Sequence, residues 1–113
     1  MTALLSFFDD VSGAVHAGSS SLGVGMVIAS NDHASNAAYF QLHDTAAADP
    51  ANAAVPVIAY RVPAATTVTL SFRDANFLRG SFSTGLAFGW STTRDTFTAY
   101  GTATDVSCSI ALV

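Results

Sequence analysis

Alternation restricts this chain more than any other feature. In "TTVTLSF", Val68, Leu70 and Phe72 alternate with Thr67, Thr69 and Ser71. "DVSCSIALV" sets Val106, Cys108, Ile110 and Leu112 against Ser107, Ser109 and Ala111. "AAYFQLHD" puts Ala38, Phe40 and Leu42 on one side and Tyr39, Gln41 and His43 on the other. "SLGVGMVIAS" gives Leu22, Val24, Met26 and Ile28 one face, with Gly23 and Gly25 opposite. Successive side chains of a strand point to opposite faces, so a period of two describes a half-buried strand; a helix would scatter the same apolar residues around its circumference. The repeated pattern predicts an antiparallel sheet with one face in a core.

Composition points the same way. All four cations are arginines and all eight anions are aspartates, so lysine and glutamate are absent. Both are strong helix formers on surfaces. Threonine, serine and glycine take their place, which favours strands and turns. Charged residues make up 11% of the chain, well below the roughly 25% of ordinary soluble domains. Monomeric β proteins guard sheet edges with charges, lysine above all. Few guards here imply edges covered by loops or by other subunits.

At 113 residues the chain is read as one domain, 1–113, able to build a core without disulfides. The N-terminal "LLSFF" and "VSGAVHA" form either an edge hairpin or an arm spanning residues 1–19. "VPVIAYRV" carries Pro56, which places it at an edge or at a strand start. Turn-rich segments separate the strands: "SNDHASN", "TAAADPANAA" and "RDANFLRGS". The alanine-rich loop 45–54 has room for a short helical turn. In "GLAFGWSTTRDTFTAYG", Leu86, Phe88 and Trp90 share a bulky face, and Gly85, Ala87, Gly89 and Ser91 leave the other nearly bare. A bare face lets another backbone approach closely. After the turn, Phe97, Ala99 and Gly101 are expected to continue as a return strand. About eight short strands at this spacing predict an all-β, single-domain antiparallel β-sandwich or jelly roll.

The net charge of −4 argues against a nucleic-acid partner, which calls for a basic stripe. No apolar run reaches the roughly 18 residues of a membrane helix. One cysteine, Cys108, allows no intrachain disulfide, as expected of synthesis in a reducing cytoplasm. It sits on the apolar side of its strand and reads as a buried, inert thiol. Serines are plentiful, but none lies in a G-x-S-x-G elbow. Asp32, His33, His43, Asp44 and Asp49 gather around one strand, yet without EF-hand or zinc spacing, so turn-forming aspartates explain them better than a metal site. Asp9 and Asp10 are adjacent and make a poor catalytic pair. No catalytic, metal or cofactor residue is assigned, and the chain is not expected to be an enzyme. The aromatics remain. Trp90 reads as core. Phe7 and Phe8, with Tyr39, Tyr60 and Tyr100, are the candidates for a subunit or partner interface.

Three segments in order carry a resemblance: "NAAYFQLHD", "VPVIAYRVPAATTVTLSF" and "FSTGLAFGWSTTRDTFTA". A strand ending in Q-L-x-D, a strand leading through proline to T-V-T-L-S-F, and an F-S-T-G-L strand before a T-T-x-D-T turn resemble small virion structural proteins of tailed bacteriophages. Head-decoration (cement) proteins and related minor capsid proteins are the nearest group. The resemblance spans residues 36–113. It implies a non-enzymatic homotrimer on the capsid exterior, made in the host cytoplasm, that binds the major capsid protein lattice and stabilises the head. It carries over no site residue, and no nucleic-acid or membrane partner is expected on the charge and hydropathy given above. A carbohydrate-binding β-sandwich of a fibre and a tail or connector component are the alternatives.

Overall fold

The computed structural model describes residues 4–17, 23–72 and 82–112. Eight strands follow in order: β1 (Leu4–Phe8), β2 (Ser12–Ala17), β3 (Val24–Asn31), β4 (Ala38–His43), β5 (Ile58–Val62), β6 (Thr66–Ser71), β7 (Gly85–Ser91) and β8 (Val106–Leu112). They make two antiparallel sheets, sheet I in the order β1-β8-β3-β6 and sheet II in the order β2-β7-β4-β5. The pairing is nested. β4 pairs with β5, β3 with β6, β2 with β7 and β1 with β8. The chain is therefore one long antiparallel ribbon that doubles back between β4 and β5. Rolling the ribbon brings β8 against β3 and β7 against β4. This is the jelly-roll form of the β-sandwich.

The alternation is what fills the space between the sheets. Ala38, Phe40 and Leu42 of β4, Leu86, Phe88 and Trp90 of β7, and Val106, Cys108, Ile110 and Leu112 of β8 all belong to one buried cluster. Phe40 meets Trp90 edge-on at 5.3 Å between ring centres, and Phe8 reaches across from sheet I to Phe88 at 4.5 Å. Val68 and Leu70 of the outer strand β6, and Phe72 just after it, pack against the cluster. Each large apolar side chain so buried contributes about 1.5–3 kcal/mol.

Several elements depart from the sequence reading, each for a local reason. In β3 the face changes at Gly25. Val24 opposes Leu112 while Met26 opposes the next residue along, Ala111, so β3 carries one extra residue there. The bulge turns Val27, Ala29 and Asn31 inward and leaves Met26 exposed, whereas unbroken alternation had put Val24, Met26 and Ile28 together. β1 and β2 form neither an arm nor a hairpin: β1 is one outer strand of sheet I and β2 one outer strand of sheet II. Loop 45–54 makes bends and a turn rather than helix, and the 3-10 turn lies at Ala103–Asp105 instead. The return strand after β7 shrinks to a single bridge, Ser91 to Ala99, because this segment folds over β7 instead of running beside it. Leu22 and the turn-rich residues 73–81 lie outside the described residues.

Candidate functional site

β7 is buried at every position, though only Leu86, Phe88 and Trp90 face the core. Its other face is covered by the chain itself. Residues 44–57 and 92–99 fold over the outside of sheet II and are stitched to each other, with Ala53 N–H donating to the Phe97 carbonyl and Phe97 N–H to that of Ala54. The bare face expected of Gly85 and Gly89 is what admits them. A Cβ on Gly85 would stand 2.7 Å from the Thr45 carbonyl oxygen, and one on Gly89 would stand 2.6 Å from the Phe97 ring.

Polar side chains on the same face fasten this cover. Gln41 is fully buried, and its Nε2 reaches the carbonyls of Thr93, Arg94 and Thr96 at 2.9, 3.0 and 3.2 Å. Its Oε1 lies 2.8 Å from His43 Nε2. With the amide assigned this way, its oxygen carries no hydrogen, so His43 is the donor and its proton sits on Nε2. The His43 ring stands edge-on to Phe97 at 5.5 Å. Burial holds its pKa below the ordinary histidine value. Ser91 Oγ donates to the Thr96 carbonyl and accepts from the N–H groups of Thr93 and Thr98. These groups satisfy buried backbone, which is a structural use.

The acidic residues act likewise. Asp44 accepts from the N–H groups of Thr84 and Gly85 and from the Ser83 hydroxyl, and the Thr84 bond foremost holds its carboxyl below the usual range. Asp49 accepts from the Ser12 hydroxyl. His33 Nδ1 accepts from the N–H groups of Ser35 and Asn36, closing its own turn. His33 precedes β4 and His43 ends it, so the strand holds them apart. Among the described residues no group of three His, Cys, Asp or Glu is set to hold a metal. Cys108 is buried, and burial pushes its thiol up to about 12, far from a thiolate nucleophile at neutral pH.

The aromatic candidates separate. Phe7 points out of sheet I and is 68% exposed, while its neighbour Phe8 enters the core. Tyr60 is exposed on the outer strand β5 and Tyr39 is half-buried on β4. Tyr100, expected at a surface, is buried in the core cluster, with its hydroxyl 3.4 Å from Asp105; burial, more than Asp105, pushes its pKa up. It is buried because the segment carrying it folds back, Tyr100 N–H donating to the Trp90 carbonyl.

Among the described residues, two surfaces remain uncovered. The outer face of sheet I presents Phe7, Met26 and Ile28 among Ser30, Thr67, Thr69, Ser71, Ser107, Ser109 and Ala111, with no charged residue on its strands. Beside β5, Val55 and Val57 are exposed next to a cavity of about 350 Å³. The sequence reading missed both Val55 and Gln41. The apolar alternation running through Val55, Val57 and Ala59 was the available signal for the first; a lone glutamine gives none. Compared with protein-family models, curated proteins and solved structures, the chain finds no match.

Proposed function

We propose that this chain is a non-enzymatic structural protein of a bacteriophage virion, binding the outer capsid lattice as a homotrimer and stabilising the head. The observation that carries this reading is the open face of sheet I. A four-stranded sheet whose outer side bears apolar and hydroxyl groups and no charge is suited to burial against another protein surface. The segments that resemble phage virion proteins occupy β4, β5 and β7 of sheet II with the turn after β7, and β6 of sheet I. Jelly rolls serve in capsid, lectin and cupin domains alike, so the fold itself does not choose between readings. The glycan-binding alternative asks for an exposed aromatic platform. Trp90 and Tyr100 are buried, and Tyr39 and Tyr60 lie on opposite faces of adjacent strands, since Tyr60 pairs with inward-facing Phe40 and Tyr39 with Arg61.

Binding only to an assembled lattice stabilises that lattice by linkage, about 2.7 kcal/mol per site at a hundred times Kd. Trimeric attachment makes the second and third contacts intramolecular, so modest affinity per site suffices. Capsids stripped of the protein should rupture at lower temperature and lower osmotic stress than capsids carrying it. Equal resistance, or negative-stain images placing the protein at the tail, would refute the role.

A further inference from the structure

Three features coincide at the edge of sheet II. Val55, Val57 and Tyr60 are three of the five exposed large hydrophobic side chains among the described residues, and they fall within six positions; Val55 is 77% exposed. The cavity of about 350 Å³ opens here, lined by residues 55–59 and by Arg94 and Asp95. β5 is an outer strand, paired with β4 alone among the described residues. The charge at this place is distinctive too. Arg61 and Arg94 are the arginines of the described residues; Arg94 lines the cavity, and Arg61 lies on β5 two residues beyond Ala59. Ala59 pairs with Gln41 and Arg61 with Tyr39, so Ala59 and Arg61 share the outer face two positions apart. Arg94 pairs with Asp95 at 2.8 Å, both side chains well exposed, which is a weak bond in water. Arg61 has no ion pair among the described residues.

We propose that the β5 edge takes up an extended acidic–apolar segment of a partner protein as a fifth strand of sheet II. An apolar side chain of that segment fills the cavity over Ala59, and a carboxylate two residues along meets Arg61. Main-chain bonds at a sheet edge supply affinity, and alternate side chains supply specificity. Pro56 and Pro63 bracket β5 and limit the added strand to a short stretch. Arg61, the cation at this edge with no ion pair among the described residues, calls for a carboxylate on the segment that is added. The inference rests on the proposed assembly role and names a surface for it.

The test is a titration of the full ¹⁵N-labelled chain with the peptide acetyl-TVTLTDT-amide and with its analogue carrying lysine for aspartate. Amide shifts should concentrate at residues 57–62 and 94–95. The lysine analogue, and the Arg61→Glu protein with the original peptide, should each bind about five-fold more weakly. An unchanged spectrum for Arg61→Glu away from β5 shows that the fold is kept. No saturable shift up to about 5 mM peptide, shifts on the Phe7 and Met26 face, or equal affinity for both peptides would each overturn the proposal. Failure here leaves capsid binding untouched, whereas peptide binding without capsid decoration sinks the proposed function alone.

Discussion

The two outer faces of this sandwich began with similar material and came to different ends. Both carry mainly neutral side chains, Arg61 on sheet II being the charged exception. On sheet II, glycines at 85 and 89 and the fasteners Gln41, His43 and Ser91 draw the chain's own loops down onto the strands. On sheet I, hydroxyl and small side chains alternate along β6 and β8, and among the described residues no side-chain hydrogen bond joins this face to a covering loop; Ser30 and Thr67 bond to each other, at 2.8 Å. A neutral sheet face is thus closed within the subunit when it has both room for a backbone and side chains that reach carbonyls. Lacking either, it stays available.

The largest test of this contrast removes the central fastener. Gln41→Ala takes the amide donor from the carbonyls of Thr93 and Arg94 and the acceptor from the buried His43, while the Thr96 carbonyl keeps Ser91 Oγ. It should cost about 3 kcal/mol in urea denaturation. Ser109→Ala, on the open face, should stay within about 0.5 kcal/mol of wild type. Equal losses would erase the distinction.

Gly85→Ala tests the room rather than the fasteners. Its Cβ would meet the Thr45 carbonyl and the Ala46 backbone, which are not rotatable side-chain ends. A loss of about 1–3 kcal/mol is expected. Hydrogen exchange should quicken in residues 44–54 and stay unchanged in sheet I; uniform quickening would mean that the cover and the core are one unit.

The pH dependence sharpens the comparison further. His43 is buried and its pKa is lowered by desolvation, so the unfolded chain takes up a proton before the folded one does. Its contribution is present above the unfolded value near 6.5 and is lost as pH falls through the folded value. Asp44, whose folded pKa is also lowered, adds a second loss at lower pH, small because the side chain is exposed. Thermal melting should therefore fall between pH 7 and 5, and His43→Gln should flatten that slope. A slope unchanged in His43→Gln would place its origin elsewhere.

The smallest effect on stability belongs to Thr69→Lys at the centre of the open face. It should leave the melting temperature within the shift of about 0.5 kcal/mol. The proposed trimerisation, followed by sedimentation, should weaken if this face forms the contact, since a lysine there brings in an unmatched charge. Undiminished association would move the interface off this face.

Much of this architecture was legible in the sequence, for a definite reason. In β4, β6, β7 and β8 the period of two survives intact, and the core was readable residue by residue. β3 was not, because a bulge at Gly25 shifts the period by one, and only pairing with Ala111 reveals it. Tyr100 and Phe97 were misplaced because a strand-like pattern after a turn suggests a hairpin, whereas Gly89 offered a closer seat on top of β7. The cover of sheet II rests on Gln41 reaching more than fifty residues along the chain, a relation with no periodicity to announce it.

The nested ribbon also dictates a timetable. Pairing begins most cheaply at the β4–β5 end, where Leu42 and Ile58 are near neighbours in the chain, and finishes at Leu4 and Leu112. Each inner pair, once made, shortens the loop that the next must close, and closure entropy grows by only about 0.6 kcal/mol per doubling of loop length. The ribbon can zip outward without a long-range search at any step. The final step is different in kind. β8 is synthesised last of the eight strands, yet it occupies the middle of sheet I, between β1 and β3. Until it leaves the ribosome, β1 has no neighbour and β3 has one side open. The nascent chain holds sticky edges in waiting for the whole of its synthesis, and the fold is completed only after translation reaches β8.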